Sequence, residues 1–255
     1  MIEKLKDPSR AGELFKGWQE TMIWSCLQNV MGEIYGDHPE HPSCAAAVLG
    51  DFSFFAGEPR EDLIRCSLQG PVMEFRILVP QNKAWAGMIE QCCGEKAEQV
   101  TRYAFRKDPG TFERKNLEIL AKALPLEYSL QMLDEELYDW CRCREWCRDW
   151  VSQYADYKAF KKHGLGVVIT KDGVPVSGAS SYSSYRGGIE IEIDTKEEYR
   201  RRGLARICGA RLILECLDRG LYPSWDAQNP GSAALAKQLG YRMEGTYTAY
   251  EAGGL

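Results

Sequence analysis

Hydrophobic and polar residues alternate most regularly in "GGIEIEIDT", residues 187–195. Isoleucine occupies positions 189, 191 and 193, whereas acidic residues occupy positions 190, 192 and 194. A period of two is typical of a β-strand whose faces meet different surroundings. Two apolar runs precede it, and the intervening turns at 171–173 and 186–188 contain the Asp-Gly and Gly-Gly pairs of β-hairpins. The pattern therefore predicts three consecutive antiparallel strands.

The segments around these three strands predict further helices and strands. A strand, "EYSLQML", and a largely helical region over residues 134–162 come before them. A helix from about Arg202 to Arg219 follows and stops at Gly220. The strand "LYPSWDA", the helix "GSAALAKQL" and a last strand or hairpin, "YRMEGTYTAYEA", complete the second half.

The first half has a pattern of its own. Its first 30 or so residues carry apolar residues at roughly helical spacing. The elements that follow, in order, are a strand or tight strand pair "AAAVLGDFSFFAG", a strand "VMEFRILVPQ", a short helix "KAWAGMIEQCC", a strand "EQVTRYAFRK" and a helix "NLEILAKAL". Pro125 ends this series, so we predict an N-terminal α/β domain over residues 1–125 and a second domain over residues 126–255.

Composition narrows the functional classes. The 255 residues are 44% hydrophobic and carry a formal charge of −5, so a broadly basic nucleic-acid surface is not expected. No apolar run approaches the roughly 20 residues that span a bilayer, and the N-terminus lacks the apolar core of a signal peptide. We therefore expect a cytoplasmic protein with neither membrane nor nucleic-acid partners.

Ten cysteines raise the question of a metal site. Three lie in "DWCRCREWCRDW", where a continuous helix would put Cys143 and Cys147 on one face and Cys141 away from it. The loop "HPEHPSC" holds two histidines and one cysteine. Neither set shows the paired spacing of a structural zinc site, so we predict reduced thiols and no metal.

Three consecutive arginines, Arg200, Arg201 and Arg202, precede Gly203, Leu204 and Ala205 at the predicted start of a helix. Cations there oppose the helix dipole unless an anion joins them, because the first N–H groups of a helix have no partner inside the helix. Gly203 lets a ligand approach the backbone closely. The stretch indicates a pyrophosphate-binding cradle; the alternative is a solvated basic turn balanced by neighbouring acidic residues.

The sequence "RRRGLA" resembles the R/Q-x-x-G-x-G/A motif of the GNAT superfamily of N-acyltransferases. The later stretch "WDAQNPGSAALAKQLGY" resembles that family's closing signature, and the element order over residues 126–255 matches a GNAT domain. The resemblance implies an α/β (α+β) fold with a mixed, mostly antiparallel sheet flanked by helices. The whole chain resembles a bacterial subgroup of two-part GNAT proteins similar to proteins linked with self-resistance to an aminopolyol antibiotic.

This resemblance also implies a cofactor site. Backbone amides of Arg200 through Ala205 would hold the pyrophosphate of acetyl-CoA. Backbone groups of Ile193, Asp194 and Thr195 would bind the pantetheine arm, and Asn229 and Ser232 match positions that usually contact the cofactor. No metal is expected.

Amine acylation requires an amine that has lost a proton, which a carboxylate directed into a cleft can accept. Three acidic side chains in a row are expensive to bury, so we expect them to face a polar cleft or solvent. Glu190 is our first candidate for the base and Glu192 the second; structural ion pairs with arginines are the alternative. Many relatives place a Tyr on the last helix to protonate the thiolate, but Ala236 stands here, and Ser232 is a candidate substitute.

The sequence thus predicts an acetyl-CoA-dependent N-acetyltransferase that acts by direct transfer in a ternary complex with an amine-bearing small molecule. The alternative is a catalytically silent CoA-binding protein of the same fold, acting as a sensor or interaction module. The identity of the acceptor stays open, and the N-terminal region either walls the acceptor site or mediates formation of a homodimer.

Overall fold

The computed structural model describes residues 1–68 and 75–253. Two compact units make up this chain. The first contains residues 1–102 together with the final strand from Thr246, and the second contains Tyr103–Gly245. Among the described residues, no helix is long and apolar enough to cross a membrane.

The first unit is an α/β layer built on a mostly antiparallel sheet. Its strands lie in the order β1 (Glu3–Lys4), β2 (Glu33–Gly36), β3 (Cys44–Leu49), β4 (Phe52–Gly57), β5 (Phe75–Pro80), β13 (Met243–Gly253) and β6 (Ala97–Phe105). Strand β5 runs parallel to β4, whereas the β2–β3, β3–β4 and β5–β13 pairs are antiparallel. Its core contains Phe55 and Trp85, whose rings stack at 5.2 Å. The same unit contains the helices α1 (Thr21–Leu27), α2 (Glu61–Leu68) and α3 (Lys83–Cys93).

The second unit is built on a five-stranded sheet with order β11-β10-β9-β8-β7. Every neighbouring pair is antiparallel except β10 and β11, which are parallel. Its elements are α4 (Arg114–Ala121), β7 (Ser129–Met132), α5 (Glu135–Arg142), a 3-10 helix (Glu145–Trp150), α6 (Tyr157–His163), β8 (Gly166–Lys171), β9 (Val174–Tyr185), β10 (Gly188–Thr195), α7 (Leu204–Asp218), β11 (Tyr222–Ser224), β12 (Asp226–Ala227) and α8 (Pro230–Gln238).

Helix α7 forms the centre of the second core. Ile189 and Ile191 of β10 pack with Ile207 and Cys208 of this helix, and Trp225 joins the same cluster. The isoleucine face of β10 therefore looks toward α7, as the alternating pattern predicts. The acidic face looks the other way, toward the 3-10 helix Glu145–Trp150, which packs against β9 and β10.

The two units share one order of elements. In each, three antiparallel strands lead into a helix, then into a strand parallel to the third, then into another helix. These series are β2-β3-β4-α2-β5-α3 and β8-β9-β10-α7-β11-α8. Such a shared topology requires only a similar order of strands and helices, not similar residues.

Most predicted strands and helices are confirmed, including the mixed, mostly antiparallel sheet flanked by helices. The prediction of a helical N-terminus is wrong: a 3-10 turn at Pro8–Ala11 and the short helix α1 replace it. Gly17 lies between them and is left-handed, with φ of 81°, so the helical conformation does not continue through it. The first residues of the predicted strand "VMEFRILVPQ" lie outside the described part of the chain.

The prediction of a largely helical region over residues 134–162 is wrong in its middle. Helix α5 ends at Arg142, and Arg144 is extended, with φ of −134° and ψ of 117°. The 3-10 helix then turns back. As a result Cys141 and Cys147 are buried and Cys143 is exposed, which reverses the facing expected from a continuous helix.

The compact units also differ from the predicted division near residue 125. Helix α4 belongs to the second unit, where it packs against α7, and the last strand belongs to the first. The domain boundary near 125 stays a prediction from the sequence.

Candidate active site

The turn before α7 has the backbone geometry of an anion-binding nest. Arg201 has φ of 62° and Gly203 has φ of 79°, so two residues of this short turn are left-handed. Left-handed residues next to right-handed ones turn successive N–H groups toward one concave point. A Cβ atom built on Gly203 would meet nothing closer than 3.9 Å. The space in front of this backbone is open.

Six successive backbone N–H groups, from Arg201 to Arg206, have no hydrogen-bond acceptor among residues 1–68 and 75–253. The first helical bond of α7 runs from the Ile207 N–H to the Gly203 carbonyl at 3.2 Å. Such a row of donors at the positive end of a 15-residue helix favours an anion.

The three arginines have different surroundings. Arg200 donates from Nε to the Thr195 carbonyl at 3.1 Å. Arg202 donates to the Glu198 carbonyl at 2.9 Å, and its guanidinium lies 5.1 Å from the ring centre of Tyr199. Arg201 is exposed, and its side chain has no partner among the described residues. Two arginines thus brace the turn and one is available to a ligand.

Leu204 and Ala205 contribute only backbone to this site. The Leu204 side chain is 1% exposed and packs in the core, and Ala205 is half-buried and small. The burial of Leu204 anchors the first turn of α7 and leaves its N–H group pointing outward.

Strand β10 leaves its partner β11 halfway along. The two strands pair only from Gly188–Tyr222 to Glu190–Ser224, although β10 continues to Thr195. The Lys196 N–H donates to the Val176 carbonyl of β9, so even-numbered residues face β9 and odd-numbered ones face the opposite edge. Within the part of the chain that the structure describes, no strand covers that edge beyond Glu190.

Of the three residues expected to hold a pantetheine arm, Ile193 and Thr195 therefore direct their backbone to the open edge. The Asp194 carbonyl faces β9 instead and accepts a hydrogen bond from the Ser177 hydroxyl at 3.1 Å. Asp194 contributes its side chain to the site rather than its backbone.

Glu190 lies inside the protein. It is 4% exposed and stands opposite Ser183 on one side and Ser224 on the other. Tyr185, which bonds to Ser224 at 3.1 Å, has its pKa raised to about 12 by burial, with the charge of Glu190 acting in the same direction. The expectation that all three acidic side chains face a cleft or solvent is wrong for Glu190, because tyrosines and serines cover it.

Glu192 and Asp194 are only partly buried and act on each other. Burial raises the pKa of Glu192 well above its usual value, and the charges of Asp194 and Asp149 add to this effect. Burial, followed by the charge of Asp149, raises the pKa of Asp194 to about 6, while Arg200 opposes the rise. The two carboxyl groups are close enough to share a proton, which is how neighbouring acids relieve their repulsion.

Asn229 and Ser232 lie at the start of α8. The Asn229 side chain caps the helix by accepting from the Ser232 N–H at 2.9 Å, and the Ser232 hydroxyl accepts from the Trp225 indole at 3.2 Å. Ala236 is fully buried in the core of the second unit. A tyrosine ring has no room at that position.

Sequence reasoning missed Asp149 and Trp150, which the structure brings to the acidic face of β10. The only hint in the sequence is a carboxylate and an indole in "CRDW". About forty residues separate them from Asp194, so spacing does not reveal the contact. Across residues 1–68 and 75–253, no group of three or more His, Cys, Asp or Glu is arranged to hold a metal ion.

Comparison with known proteins gives a consistent result. An uncharacterized N-acetyltransferase, YdfB of Bacillus subtilis (strain 168), is 27% identical over 247 residues, covering 91% of this chain and 90% of that protein. A crystal structure of a GCN5-related N-acetyltransferase-like protein from Streptococcus suis 89/1591 is 46% identical, with a TM-score of 0.92 over 97% of this chain and 98% of that one.

A tandem GNAT protein from the clavulanic acid biosynthesis pathway has the same fold, with a TM-score of 0.56 at 11% identity over 99% of this chain and 98% of that one. The model of the GNAT acetyltransferase family matches residues 12–250, which include nearly all of both compact units. The chain therefore belongs to the GNAT acetyltransferase family.

Proposed function

We propose that this protein is an acetyl-CoA-dependent N-acetyltransferase that transfers the acetyl group directly to an amine of a small molecule in a ternary complex. The observation that carries the proposal is the row of six unbonded N–H groups from Arg201 to Arg206. A diphosphate fits such a row because it supplies several anionic acceptor oxygens in a small space.

The chain's own residues have distinct binding roles in this proposal. The turn from Arg200 to Ala205 holds the diphosphate, with the Arg201 side chain adding a charge at the rim. The odd-numbered edge of β10 binds the extended arm through the Ile193 carbonyl and the Thr195 N–H, because the Ile193 N–H donates to the Glu192 carboxylate at 3.2 Å and the Thr195 carbonyl accepts from Arg200 at 3.1 Å. Asn229 fixes the start of α8 as its cap, which keeps the Ser232 hydroxyl near the same end of the sheet.

Acetyl-CoA, when bound, supplies an activated thioester. Glu192, paired with Asp194, takes the proton from the attacking amine. A carboxyl with a raised pKa is the better acceptor near neutral pH because its basicity is closer to that of the amine. Glu192 also lies past the point where β11 leaves β10, whereas Glu190 lies before it and is buried. We therefore place Glu192 ahead of Glu190.

The departing thiolate needs little help from the protein. Its conjugate thiol is about as acidic as cysteine, with a pKa near 8.5, so it leaves readily at neutral pH. The Ser232 hydroxyl accepts a hydrogen bond from Trp225 and so keeps its own proton available to donate. Ser232 is the proposed hydrogen-bond donor to the departing sulfur, at the end of the sheet where Ala236 stands in place of a tyrosine; it keeps its own proton, and the thiolate leaves as the anion or takes a proton from solvent.

A second candidate function is CoA binding without transfer, favoured by Ala236 alone. The two are separated by following release of free thiol from acetyl-CoA across a panel of alkyl, aryl and amino acid amines, with product masses measured. Amine-dependent thiol release and a mass increase of one acetyl group support transfer. Saturable CoA binding by calorimetry, with no product from any amine, supports the silent binder. A cytoplasmic location and a homodimer stay predictions from the sequence.

A further inference from the structure

The 3-10 helix Glu145–Trp150 brings a third carboxylate and two indoles to the acidic face of β10. The ring of Trp150 lies over Gly178, where any Cβ would come within 2.6 Å of it. Gly178 is the residue of β9 directly opposite Asp194. Trp150 is also held by its carbonyl, which accepts from the Ser180 hydroxyl at 2.6 Å. The backbone and ring of Trp150 are thus fixed beside Asp194.

The indole N–H of Trp150 lies beside Asp194 but completes no hydrogen bond among the described residues. The residue is fully buried, and its Nε1 atom finds no acceptor among the described residues. It lies close enough to Asp194 to lower the pKa of that carboxyl, yet the geometry of a hydrogen bond is not met. A buried N–H group without a partner is costly, so its position beside the carboxylates indicates an atom that this chain does not supply.

The charges at this place are unbalanced in one direction. The charge of Asp149 raises the pKa of both Glu192 and Asp194, these two also act on each other, and the cation Arg200 acts on Asp194 in the opposite direction. Burial and mutual repulsion favour binding of a further positive charge between them. Trp146 packs edge-on against Trp150 at 5.1 Å and is partly exposed, and aromatic faces beside carboxylates suit an organic cation better than a bare metal ion.

We propose that Asp149, Asp194 and Trp150 form a subsite for the acceptor, which binds the ammonium group of a cationic alkylamine that carries no carboxylate of its own. The inference rests on the proposed function, since it names the class of acceptor for the same site. Asp149 and Asp194 hold the ammonium, and the Trp150 N–H donates to an acceptor atom of the ligand or to a water bound with it. An amine bearing a carboxylate is repelled by the same residues.

Binding of three matched probes to the full chain tests this subsite without any turnover. The probes are 1,5-diaminopentane, its uncharged isostere 1,5-pentanediol and the anionic 5-aminopentanoate, followed by calorimetry or by tryptophan fluorescence with and without CoA. We expect the diamine to bind at least about tenfold more tightly than the other two. Equal affinity for diamine and diol, or no diamine binding at millimolar concentration, would overturn the subsite.

Two variants localise the effect. Asp149→Asn should weaken diamine binding about tenfold, and Trp150→Phe, which keeps an aromatic ring but removes the N–H, should weaken it by a smaller factor. Asp172→Asn, in the turn between β8 and β9, is the matched control and should bind as the wild type. Unchanged binding in Asp149→Asn would reject the assignment, and unchanged CoA affinity shows that the variant is folded.

Failure of this inference is distinguishable from failure of the proposed function. If the diamine binds in a way that depends on Asp149 but no acetyl transfer is found, the subsite stands and the proposed enzyme activity is rejected. If the protein transfers acetyl groups and Asp149→Asn changes neither KM for the diamine nor kcat, the proposed enzyme activity stands and the subsite is rejected.

Discussion

The two units of this protein share one order of strands and helices. They differ at the third strand of the series, which in the second unit keeps an edge that is unpaired among the described residues. In the first, β4 pairs with β5 from Phe52–Ile77 to Phe55–Pro80. Beyond that point Gln81 accepts from the Gly57 N–H at 3.1 Å, and the Trp85 indole donates to the Gly57 carbonyl at 2.9 Å. In the second, β11 ends after three paired residues and the rest of β10 keeps an open edge.

The helices that follow these strands differ as well. Helix α7 begins behind a left-handed glycine with unbonded N–H groups and a free arginine. Helix α2 begins with Glu61 and Asp62, which pair with Arg65 and Arg60. Carboxylates already stand where an anionic ligand would have to bind. Shared topology therefore does not make the two helix starts alike. The start of α7 differs from that of α2 in the early end of β11, the left-handed turn and a first helical turn without acidic residues.

The largest effect is expected from removing the carboxylate that β10 has and β4 lacks. Glu192→Gln should lower kcat about 100-fold, because general base catalysis contributes on that scale, with CoA affinity unchanged. Glu61→Gln, at the start of α2, is the control and should keep kcat within about twofold of the wild type. A loss of kcat in Glu190→Gln with a normal Glu192→Gln would transfer the role of base to Glu190.

A smaller effect is expected from replacing the glycine before α7. Gly203→Val should weaken CoA binding by about tenfold or more, since a branched side chain fills the space in front of the nest. Gly173→Val is the matched control, because Gly173 has φ of 78°, similarly open surroundings and no place in the cradle. Calorimetry should give one CoA per chain. A second equivalent, or residual tight binding in Gly203→Val, would mean that the first unit also holds a cofactor.

The smallest expected effect is on Tm. Removing a carboxylate should raise Tm at pH 8 in the second unit and should not raise it in the first. The pKa of Asp194 is raised from 3.8 to about 6 in the folded protein. The contribution of this group to the free energy of unfolding is therefore most favourable below pH 3.8, and it is lost as the pH rises through 6. Glu192 acts in the same direction, and the groups facing the pair are Asp149, Arg200 and the Cys147 thiol. Asp149→Asn should therefore raise Tm at pH 8 by roughly 2–4 °C and change it less at pH 5.

Asp62 of α2 supplies the contrasting measurement. Its hydrogen bond with Arg60 lowers the pKa of its carboxyl, so Asp62→Asn should leave Tm at pH 8 unchanged or slightly lower. A fall in Tm at pH 8 in Asp149→Asn would show that the three carboxylates of the second unit are not in net repulsion.

The sequence reveals the features of this protein that are local. The alternation of β10, the hairpin turns around it and the "RRRGLA" stretch each lie within a few residues, so their geometry follows from nearest-neighbour rules. The resemblance to the GNAT superfamily rests on such local stretches together with the order of elements. The burial of Glu190 did not follow, because it depends on Tyr185 and on two serines of neighbouring strands.

Features that depend on distant segments were not predictable in the same way. The break at Arg144 decides which cysteines are buried, yet the residues around it are ordinary helix formers. Asp149 reaches Asp194 only because that break turns the chain back over the sheet. The similarity between the two units lies in the order and pairing of their strands, which the sequence does not display directly.

The uncovered edge of β10 has a consequence for the solubility of the protein. Exposed sheet edges invite pairing with strands of other molecules, and proteins limit that hazard by keeping such edges short. Among residues 1–68 and 75–253, no strand pairs with this edge of β10 over Ile191–Thr195, and the Arg200 side chain already donates to the last carbonyl of this stretch. An edge of that length can pair with a narrow, extended chain that carries a few amide groups. It offers few free backbone groups for pairing with a strand of another molecule.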